Sequence, residues 1–251
     1  MKKINYLIVA ICCIFVYSSC TKKQYKVVGV EGTRIEMDST WDEGADPAMV
    51  ELLNSFKEAL EAEMNVEIGT AVQTLIKGHP EAPLANFTAD VMKSFGEKQW
   101  GNIDFTLMNN GGIRSTLNEG PITVGSIFEI YPFENQLVLL EVPGKAVKEL
   151  FDYLAINGGE ALSEGIRFVI KDKKVKSLLI NGQALDENKT YRIVTVDFLA
   201  EGNSGMGALK EALSYTDSET TLRDVMIAYV KAQTAKGKTI DAELDGRVVI
   251  E

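Results

Sequence analysis

The sequence LMNNGGIRSTLNEG, at residues 107–120, carries an apolar run into two glycines and then into an arginine, Arg114. Glycine permits positive φ angles and lets a backbone approach a ligand closely. The planar guanidinium of an arginine can form paired hydrogen bonds with a phosphate or a carboxylate. Spacing alone favours a plain surface arginine after a turn, and it leaves an anion-binding loop as the alternative.

Two more loops each contain a phenylalanine among polar residues and turn formers. In IYPFENQ, Phe133 follows a proline, and in VDFLAEGNSGMG, Phe198 ends a predicted strand before a Gly-Asn-Ser-Gly turn. Each ring could cap the core. Each could also stack on a nucleobase, a contact that contributes about 1–3 kcal/mol per base in proteins that bind single-stranded nucleic acids. Together the two rings could clamp one aromatic ligand, although the sequence does not show that they meet.

The composition is that of a globular domain without a basic surface. Of the 251 residues, 45% are hydrophobic and 25% are charged, which predicts a packed core. The formal net charge of −10 argues against nonspecific binding to nucleic acid or to an anionic membrane, because these partners require a basic face. A local basic site for one anionic ligand is still compatible with this charge.

The chain has few residues for hydrolytic chemistry. His79 is the only histidine, whereas zinc and two-metal hydrolase sites usually use several imidazoles. A Ser-His-Asp triad could use only His79, and no G-x-S-x-G sequence accompanies it. We therefore predict no catalytic residue and no metal or cofactor site in this chain.

The N-terminus predicts export. Residues 1–20 have two lysines, an apolar stretch and small residues before Cys20, which is the order of a secretory signal peptide. VYSSC also resembles a bacterial lipobox, so Cys20 is the expected lipid anchor of a cell-envelope lipoprotein in the periplasm or at the outer membrane. The alternative is an ordinary signal peptide with a chance cysteine. Because every cysteine lies within residues 1–20, no disulfide is predicted in the mature domain.

Residues 46–251 are predicted to form one domain, preceded at residues 21–45 by a tether with a weak strand signal at Tyr25–Val30. The domain begins with a helix, since Asp46 suits an N-cap and Pro47 suits the first helical position. Apolar residues recur along this helix at helical spacing, namely Val50, Leu53, Phe56 and Leu60.

A second helix follows the prolines of GHPEAP. Asn86 and Asp90 share its polar face, where a solvated stripe and a functional pair are both compatible with the spacing. Its apolar face carries Leu84, Phe87, Val91 and Phe95. Strands and helices are then interspersed without regular alternation, and Ser218 is the predicted N-cap of the last helix. This order favours an α+β fold with mixed β-sheets.

The three loops occur in an order that resembles one protein family. The stretches NNGGIR, GPIT, PFEN, EVPGKAVKELFD and YRIVTVDFLAEGNSGMG look like the C-terminal substrate-binding domain of the 5′-nucleotidases, the family of UDP-sugar hydrolases and ecto-5′-nucleotidases. The similarity covers about Ile68 to Val249 and includes APLANFTAD and DGRVVI. It implies a four-layer α/β/β/α arrangement with mixed β-sheets.

The resemblance also implies a role for each loop. The main cationic contact with the phosphate would be Arg114, and the base would lie between Phe133 and Phe198. The other residues that the resemblance places in the pocket are Asn109 and Gly111, on the phosphate side, and Asn135, at the polar edge of the base.

Two positions depart from the pattern of that family. Ser204 stands where the family has an aspartate for the ribose hydroxyls, and its hydroxyl can still form hydrogen bonds but carries no charge. The stretch Lys77–Pro80 lacks the upstream arginine of the family, although Lys77 or His79 could substitute for it. Weaker phosphate binding or a different ligand would follow from these changes.

A third departure concerns the catalytic metals. Full-length relatives place a two-metal phosphoesterase domain before this one, whereas about 45 residues precede the first helix here. Divalent metals are therefore expected in a separate metallophosphatase chain, and this chain would be the nucleotide-recognition half of a split 5′-nucleotidase of nucleotide catabolism. The alternatives are a non-catalytic nucleotide- or nucleoside-binding lipoprotein, and a degenerate domain retained for protein interaction, to which Ser204 and the missing arginine point.

Overall fold

The computed structural model describes residues 25–36, 38, 40 and 44–251. The predicted signal peptide, with the predicted lipidation residue Cys20, lies outside these residues. Contacts divide the chain into two units between Glu51 and Leu52. In the first unit, residues 25–36 are exposed and form neither helix nor strand, so the strand predicted at Tyr25–Val30 is wrong. A β-prone segment gains no stability without a neighbouring strand to pair with.

The helices and strands are numbered in chain order. The helices are α1 (Pro47–Met64), α2 (Pro83–Trp100), α3 (Val124–Ile130), α4 (Gly144–Asn157), α5 (Asp197–Ala200) and α6 (Leu222–Thr234). The strands are β1 (Glu67–Ala71), β2 (Phe105–Met108), β3 (Gly120–Thr123), β4 (Gln136–Pro143), β5 (Ala161–Leu162), β6 (Ile166–Lys171), β7 (Lys174–Ile180), β8 (Gln183–Ala184), β9 (Thr190–Val196), β10 (Ser214–Thr221) and β11 (Val248–Ile250).

The central sheet has five strands in the order β10-β4-β9-β2-β5. Strands β2 and β9 are parallel, whereas the other neighbours in this sheet are antiparallel. A second sheet has the order β11-β6-β7-β8, with β11 parallel to β6, and β1 pairs with β3 in a separate two-stranded sheet. Parallel and antiparallel pairs occur together in both larger sheets, which confirms the predicted α+β class with mixed β-sheets.

The middle of the central sheet is buried. Every residue of β2 is buried, and β4 and β9 carry runs of buried apolar residues, as expected for strands that are covered on both faces. The ring of Phe151, on α4, makes edge-on contacts with Phe105 and Phe168, with centroids 5.6 and 5.0 Å apart. These strands therefore give a rigid platform for the loops at their ends.

Helix α1 begins as predicted but does not bury its apolar stripe. The Ala48 N–H donates to the Asp46 carboxylate at 2.9 Å, which confirms the N-cap. The four apolar side chains of the stripe are exposed, namely Val50 at 41%, Leu53 at 60%, Phe56 at 68% and Leu60 at 56%. None of the helices in the described ranges has the length and apolar character that a membrane crossing requires.

Helix α2 buries most of its predicted apolar face. Its polar face forms hydrogen bonds with the C-terminal segment, at Glu243 and Arg247. The Asn86 amide is buried and donates to the carboxylate of Glu81 at 2.7 Å and to the carbonyl of Glu243 at 2.9 Å. Asp90 accepts two hydrogen bonds from Arg247. These contacts are structural, so neither a solvated stripe nor a functional pair describes this face.

The last helix begins later than predicted. Helix α6 starts at Leu222, and the Thr221 side chain accepts the Asp224 N–H at 3.1 Å as its N-cap. The prediction that Ser218 caps this helix is therefore wrong. Ser218 instead lies in β10, where pairing with β4 adds an outer strand to the central sheet.

Candidate functional site

The three loops meet at one edge of the central sheet. Strands β2 and β9 are parallel neighbours, so both end at this edge. Strand β4 is antiparallel to β9, and its Leu137 pairs with Val196, so β4 begins at the same edge. The NNGG loop follows β2, the PFEN loop precedes β4, and Phe198 follows β9. The strand order thus brings together loops that are distant in sequence.

A cavity of about 280 Å³ lies between these loops. Its lining consists of Asn109, Gly111, Gly112, Phe133, Asn135, Phe198 and Ser204. Six of the seven predicted pocket residues are in this lining, and the exception is Arg114. This volume is close to the lower end of the range of small-molecule sites, about 300–1,000 Å³, so the cavity suits one small ligand. A groove of about 350 Å³ between α2 and α6 is larger but contains none of the predicted residues.

The NNGG loop forms a tight 3₁₀ turn at Asn110–Gly112. The Gly112 N–H donates to the carbonyl of Asn109 at 2.9 Å, and a side chain at Gly112 would overlap that of Met108. A larger residue at Gly112 would displace the end of the Met108 side chain. Gly112 is a pocket residue that was not among the predicted ones, although it lies in the quoted motif. The amide of Asn109 is buried and donates to the Ser204 hydroxyl at 3.4 Å, which links the first and third loops.

The two phenylalanines present partly open faces to the cavity. Phe133 is 47% exposed and Phe198 is 41% exposed. In the described part of the chain, neither ring contacts another aromatic ring. Phe198 lies in α5 rather than at the end of β9, and its carbonyl accepts the side-chain amide of Asn203 at 2.9 Å. Exposed apolar rings beside a cavity are typical of a ligand-binding surface.

A buried arginine supports the PFEN loop. The guanidinium of Arg223, on α6, lies 4.1 Å from the ring centroid of Phe128. It also donates to the carbonyl of Pro132 at 3.5 Å and to the carboxylate of Glu134 at 3.4 Å. These contacts hold both sides of Phe133. Arg223 was not predicted as part of the site, because it lies far along the chain and no local pattern marks it.

Arg114 is folded back onto its own loop. Its guanidinium is exposed and donates to the carbonyl of Gly111 at 3.1 Å. Lys77 donates from its ammonium to the carbonyl of Ile113, the residue before Arg114, at 2.7 Å. His79 contacts the carbonyl of Gly159 at 2.9 Å. Among the described residues, the cavity lining carries no charged side chain. A phosphate contact by Arg114 is still a prediction.

The structure shows no group of metal-binding side chains in the described ranges. No three His, Cys, Asp or Glu side chains among these residues lie close enough together to hold a metal ion.

The turn after α5 is shaped by Tyr153, on α4. Its hydroxyl donates to the carbonyl of Ser204 at 3.0 Å. Ser204 and Gly205 both have positive φ angles, of 53° and 79°. A side chain at Gly205 would overlap the Tyr153 ring. The turn that presents Ser204 to the cavity therefore depends on glycine at the next position.

The variant Gly205→Ala is expected to lower the free energy of unfolding by about 1–3 kcal/mol, because it combines backbone strain with the overlap at Tyr153. Urea denaturation measures this change. Gly207→Ala is the matched control, since a Cβ at Gly207 meets no atom within 4 Å and its φ is not positive. Equal stability of both variants would contradict the described turn.

Comparisons with known proteins agree on one family. A family model described as 5′-nucleotidase, C-terminal domain matches residues 62–211. Protein UshA of Yersinia enterocolitica is 26% identical over 82% of the chain, and cell wall protein Lmo0130 of Listeria monocytogenes is 30% identical over 77%. The crystal structure of a 5′-nucleotidase precursor from Thermus thermophilus matches 80% of the chain with a TM-score of 0.70 and 27% identity.

These matches cover only part of each relative. The chain spans 38% of the Yersinia protein, 28% of the Listeria protein and 42% of the Thermus structure. The similarity is therefore to one part of longer proteins.

Proposed function

The chain belongs to the family of 5′-nucleotidase C-terminal domains, and on this premise we propose that it is the nucleotide-recognition half of a split 5′-nucleotidase-type phosphohydrolase. The observation that supports the proposal best is the single cavity that gathers Phe133, Phe198 and Asn109. The two rings supply stacking surfaces for a base, and the amide supplies hydrogen bonds for polar groups of the ligand.

The phosphate end of the ligand would lie at the mouth of the cavity. Arg114 follows the same loop as Asn109, and its exposed guanidinium donates to the carbonyl of Gly111. Because exposed side chains change rotamer within nanoseconds, this hydrogen bond can be replaced by one to a phosphate oxygen. Lys77 adds a second cation on this side. In this proposal the chain binds and orients the nucleotide, while divalent metals in a separate metallophosphatase chain supply the activated water.

Mixing the two chains tests this proposal. The protein alone is expected to release no phosphate from AMP. With an exported metallophosphatase chain of the same organism and Mn²⁺, phosphate release is expected to exceed the sum of the separate chains by at least about tenfold, because positioning a bound reactant contributes large rate factors. Absence of both binding and added activity for such chains would contradict the split arrangement.

A non-catalytic nucleoside-binding protein is the second candidate. The uncharged lining of the cavity favours it, because such a pocket recognises a base and a sugar without requiring a phosphate. Calorimetry with adenosine and AMP separates the two candidates. If AMP binds more tightly than adenosine and this difference is lost in Arg114→Ala, the nucleotidase half is supported. Equal affinities for AMP and adenosine support nucleoside binding.

We further propose that the protein is exported and anchored through a lipid on Cys20. The match with a Listeria protein named as a cell wall protein supports export. Cell fractionation of the wild type and Cys20→Ala tests the anchor. The wild type is expected in the membrane fraction as a processed protein, and the variant either in the soluble fraction or as an unprocessed precursor. A variant that is processed like the wild type and stays in the membrane fraction would contradict lipidation.

A further inference from the structure

We propose that Glu160 is a positioning residue of this pocket, whose carboxylate fixes the peptide bond between Asn109 and Asn110. The inference rests on the proposed function, because it assumes that the cavity beside Asn109 binds a nucleoside or a nucleotide. Glu160 itself is outside the cavity lining. Its effect on the ligand would pass through the NNGG loop.

Both polar groups of that peptide bond have partners. The Asn110 N–H donates to the carboxylate of Glu160 at 2.6 Å. The Asn109 carbonyl accepts the N–H of Gly112 at 2.9 Å. The plane of the peptide is therefore fixed from two sides, which sets the path of the backbone from Asn109 into Gly111.

The register of the central sheet places the carboxylate at this point. Strand β5 pairs with β2, and Ala161 lies opposite Met108. The residue before Ala161 therefore lies beside the residues that follow Met108. Because the position of Glu160 is set by strand pairing and not by a mobile loop, its carboxylate can serve as a fixed reference for the turn.

The chemistry of a carboxylate suits this position. The Asn110 N–H is at the start of the 3₁₀ turn, so it has no partner within the turn and needs an acceptor from elsewhere. Hydrogen bonds to ionised acceptors are shorter and stronger than neutral ones. Asn110 is buried, so its N–H would lack a partner if the carboxylate were removed.

The charge of Glu160 has a cost in fold stability. Burial raises the pKa of this carboxyl, against the hydrogen bonds from Asn110 and the charge of His79, which lower it. A carboxyl with a raised folded-state pKa is most favourable to folding when it is protonated, and this benefit is lost as the pH rises through the folded pKa. A residue that served stability alone would gain from being neutral, whereas a positioning role uses the charge.

The test compares wild type with Glu160→Gln by calorimetry with adenosine and by thermal unfolding. At neutral pH the variant is expected to bind adenosine about 3- to 10-fold more weakly, the effect of weakening one charge-assisted hydrogen bond, while its Tm is unchanged or higher. As the pH is lowered, the two affinities are expected to converge, because the wild-type carboxyl also becomes neutral.

Two controls separate this effect from others. Glu164→Gln changes an exposed glutamate four residues away that pairs with Lys93, and it should leave adenosine binding unchanged. His79 is the ionisable group whose charge acts on Glu160. The pH series is therefore repeated with His79→Gln introduced into the wild type and into Glu160→Gln. The convergence should persist in that background.

A ligand-free measurement keeps this inference separate from the proposed function. In an NMR titration, the amide proton shift of Asn110 is expected to follow the ionisation of Glu160 and to lose this dependence in Glu160→Gln. If wild type binds no adenosine and the titration is seen, the proposed function fails and the positioning of the loop stands. The inference would be overturned if wild type and Glu160→Gln had equal affinity at every pH, or if the variant lost both Tm and affinity. It would also be overturned by an Asn110 shift that does not respond to pH.

Discussion

Replacing both rings of the cavity, Phe133→Ala with Phe198→Ala, is expected to abolish measurable adenosine binding. A base that stacks on two faces would lose about 1–3 kcal/mol at each ring, and each 1.4 kcal/mol is a factor of about ten in affinity. The rings are supported independently, since Arg223 holds the loop of Phe133 and Asn203 holds the end of α5. We therefore expect each single variant to fold normally.

Calorimetry of the single variants gives the size of each contribution, expected at about 5- to 150-fold in the dissociation constant. Phe56→Ala is the matched control, because Phe56 is a phenylalanine with 68% exposure on α1 and is not part of the cavity lining. Wild-type affinity in the double variant would show that the base does not lie between these rings.

Arg247→Ala is expected to lower the free energy of unfolding by about 1.5–3 kcal/mol, because it removes charge-assisted hydrogen bonds between a buried guanidinium and two carboxylates that are about a third exposed. The arginine is 4% exposed. Its guanidinium donates twice to Asp90, at 2.7 and 3.0 Å, twice to Asp245, at 3.1 Å each, and once to the carbonyl of Leu162 at 3.0 Å. Without it, Asp90 and Asp245 both lose the guanidinium that donates to them.

The effect of Arg247→Ala should depend on pH. Burial raises the pKa of Asp245, but the hydrogen bonds and charge of Arg247 outweigh burial and leave this pKa below its ordinary value. A carboxylate with a depressed pKa stabilises the fold above its unfolded-state pKa and loses this contribution as the pH falls through the folded value. The difference between wild type and variant should therefore be largest near neutral pH and smaller in acid.

Urea denaturation across this pH range is the measurement, with Arg167→Ala as the control. Arg167 also lies near Asp245, at 3.7 Å, but its side chain is 49% exposed. An exposed pair of this kind contributes about 0–1 kcal/mol. If the two variants lose equal stability, the cluster of Arg247, Asp90 and Asp245 does not hold the C-terminal segment in place.

Local chemistry in the sequence predicted most of the elements. The start of α1 follows from Asp46 and Pro47, because capping and proline geometry act within one turn. Three strands of the central sheet, β2, β4 and β9, follow from apolar runs bounded by turn residues, whereas β5 and β10 were not predicted. The start of α6 was misplaced because Ser218 and Thr221 are both acceptable caps, and pairing of β10 with β4, a long-range contact, decides between them.

Long-range contacts account for what the sequence alone left open. Helical spacing marks Leu53 and Phe56 as able to pack, yet both are exposed in the described structure, because periodicity does not supply a partner. The polar face of α2 is explained by distant partners, among them Arg247, which lies 157 residues beyond Asp90. The gathering of the three loops needs the strand order β4-β9-β2, which spacing does not reveal.

The placement of Arg114 shows that a sequence motif does not predict the direction of a side chain. The motif locates the loop, whereas the direction of the guanidinium depends on the partners available, here the carbonyl of Gly111. A ligand with a phosphate would offer a stronger, charged partner.

A crystal structure with AMP tests the central claim most directly. The base is expected between the rings of Phe133 and Phe198, whose planes would lie about 7 Å apart to admit one stacked base, with the phosphate against Arg114. A base bound elsewhere, or rings that do not flank it, would contradict the assignment of this cavity as the nucleotide pocket.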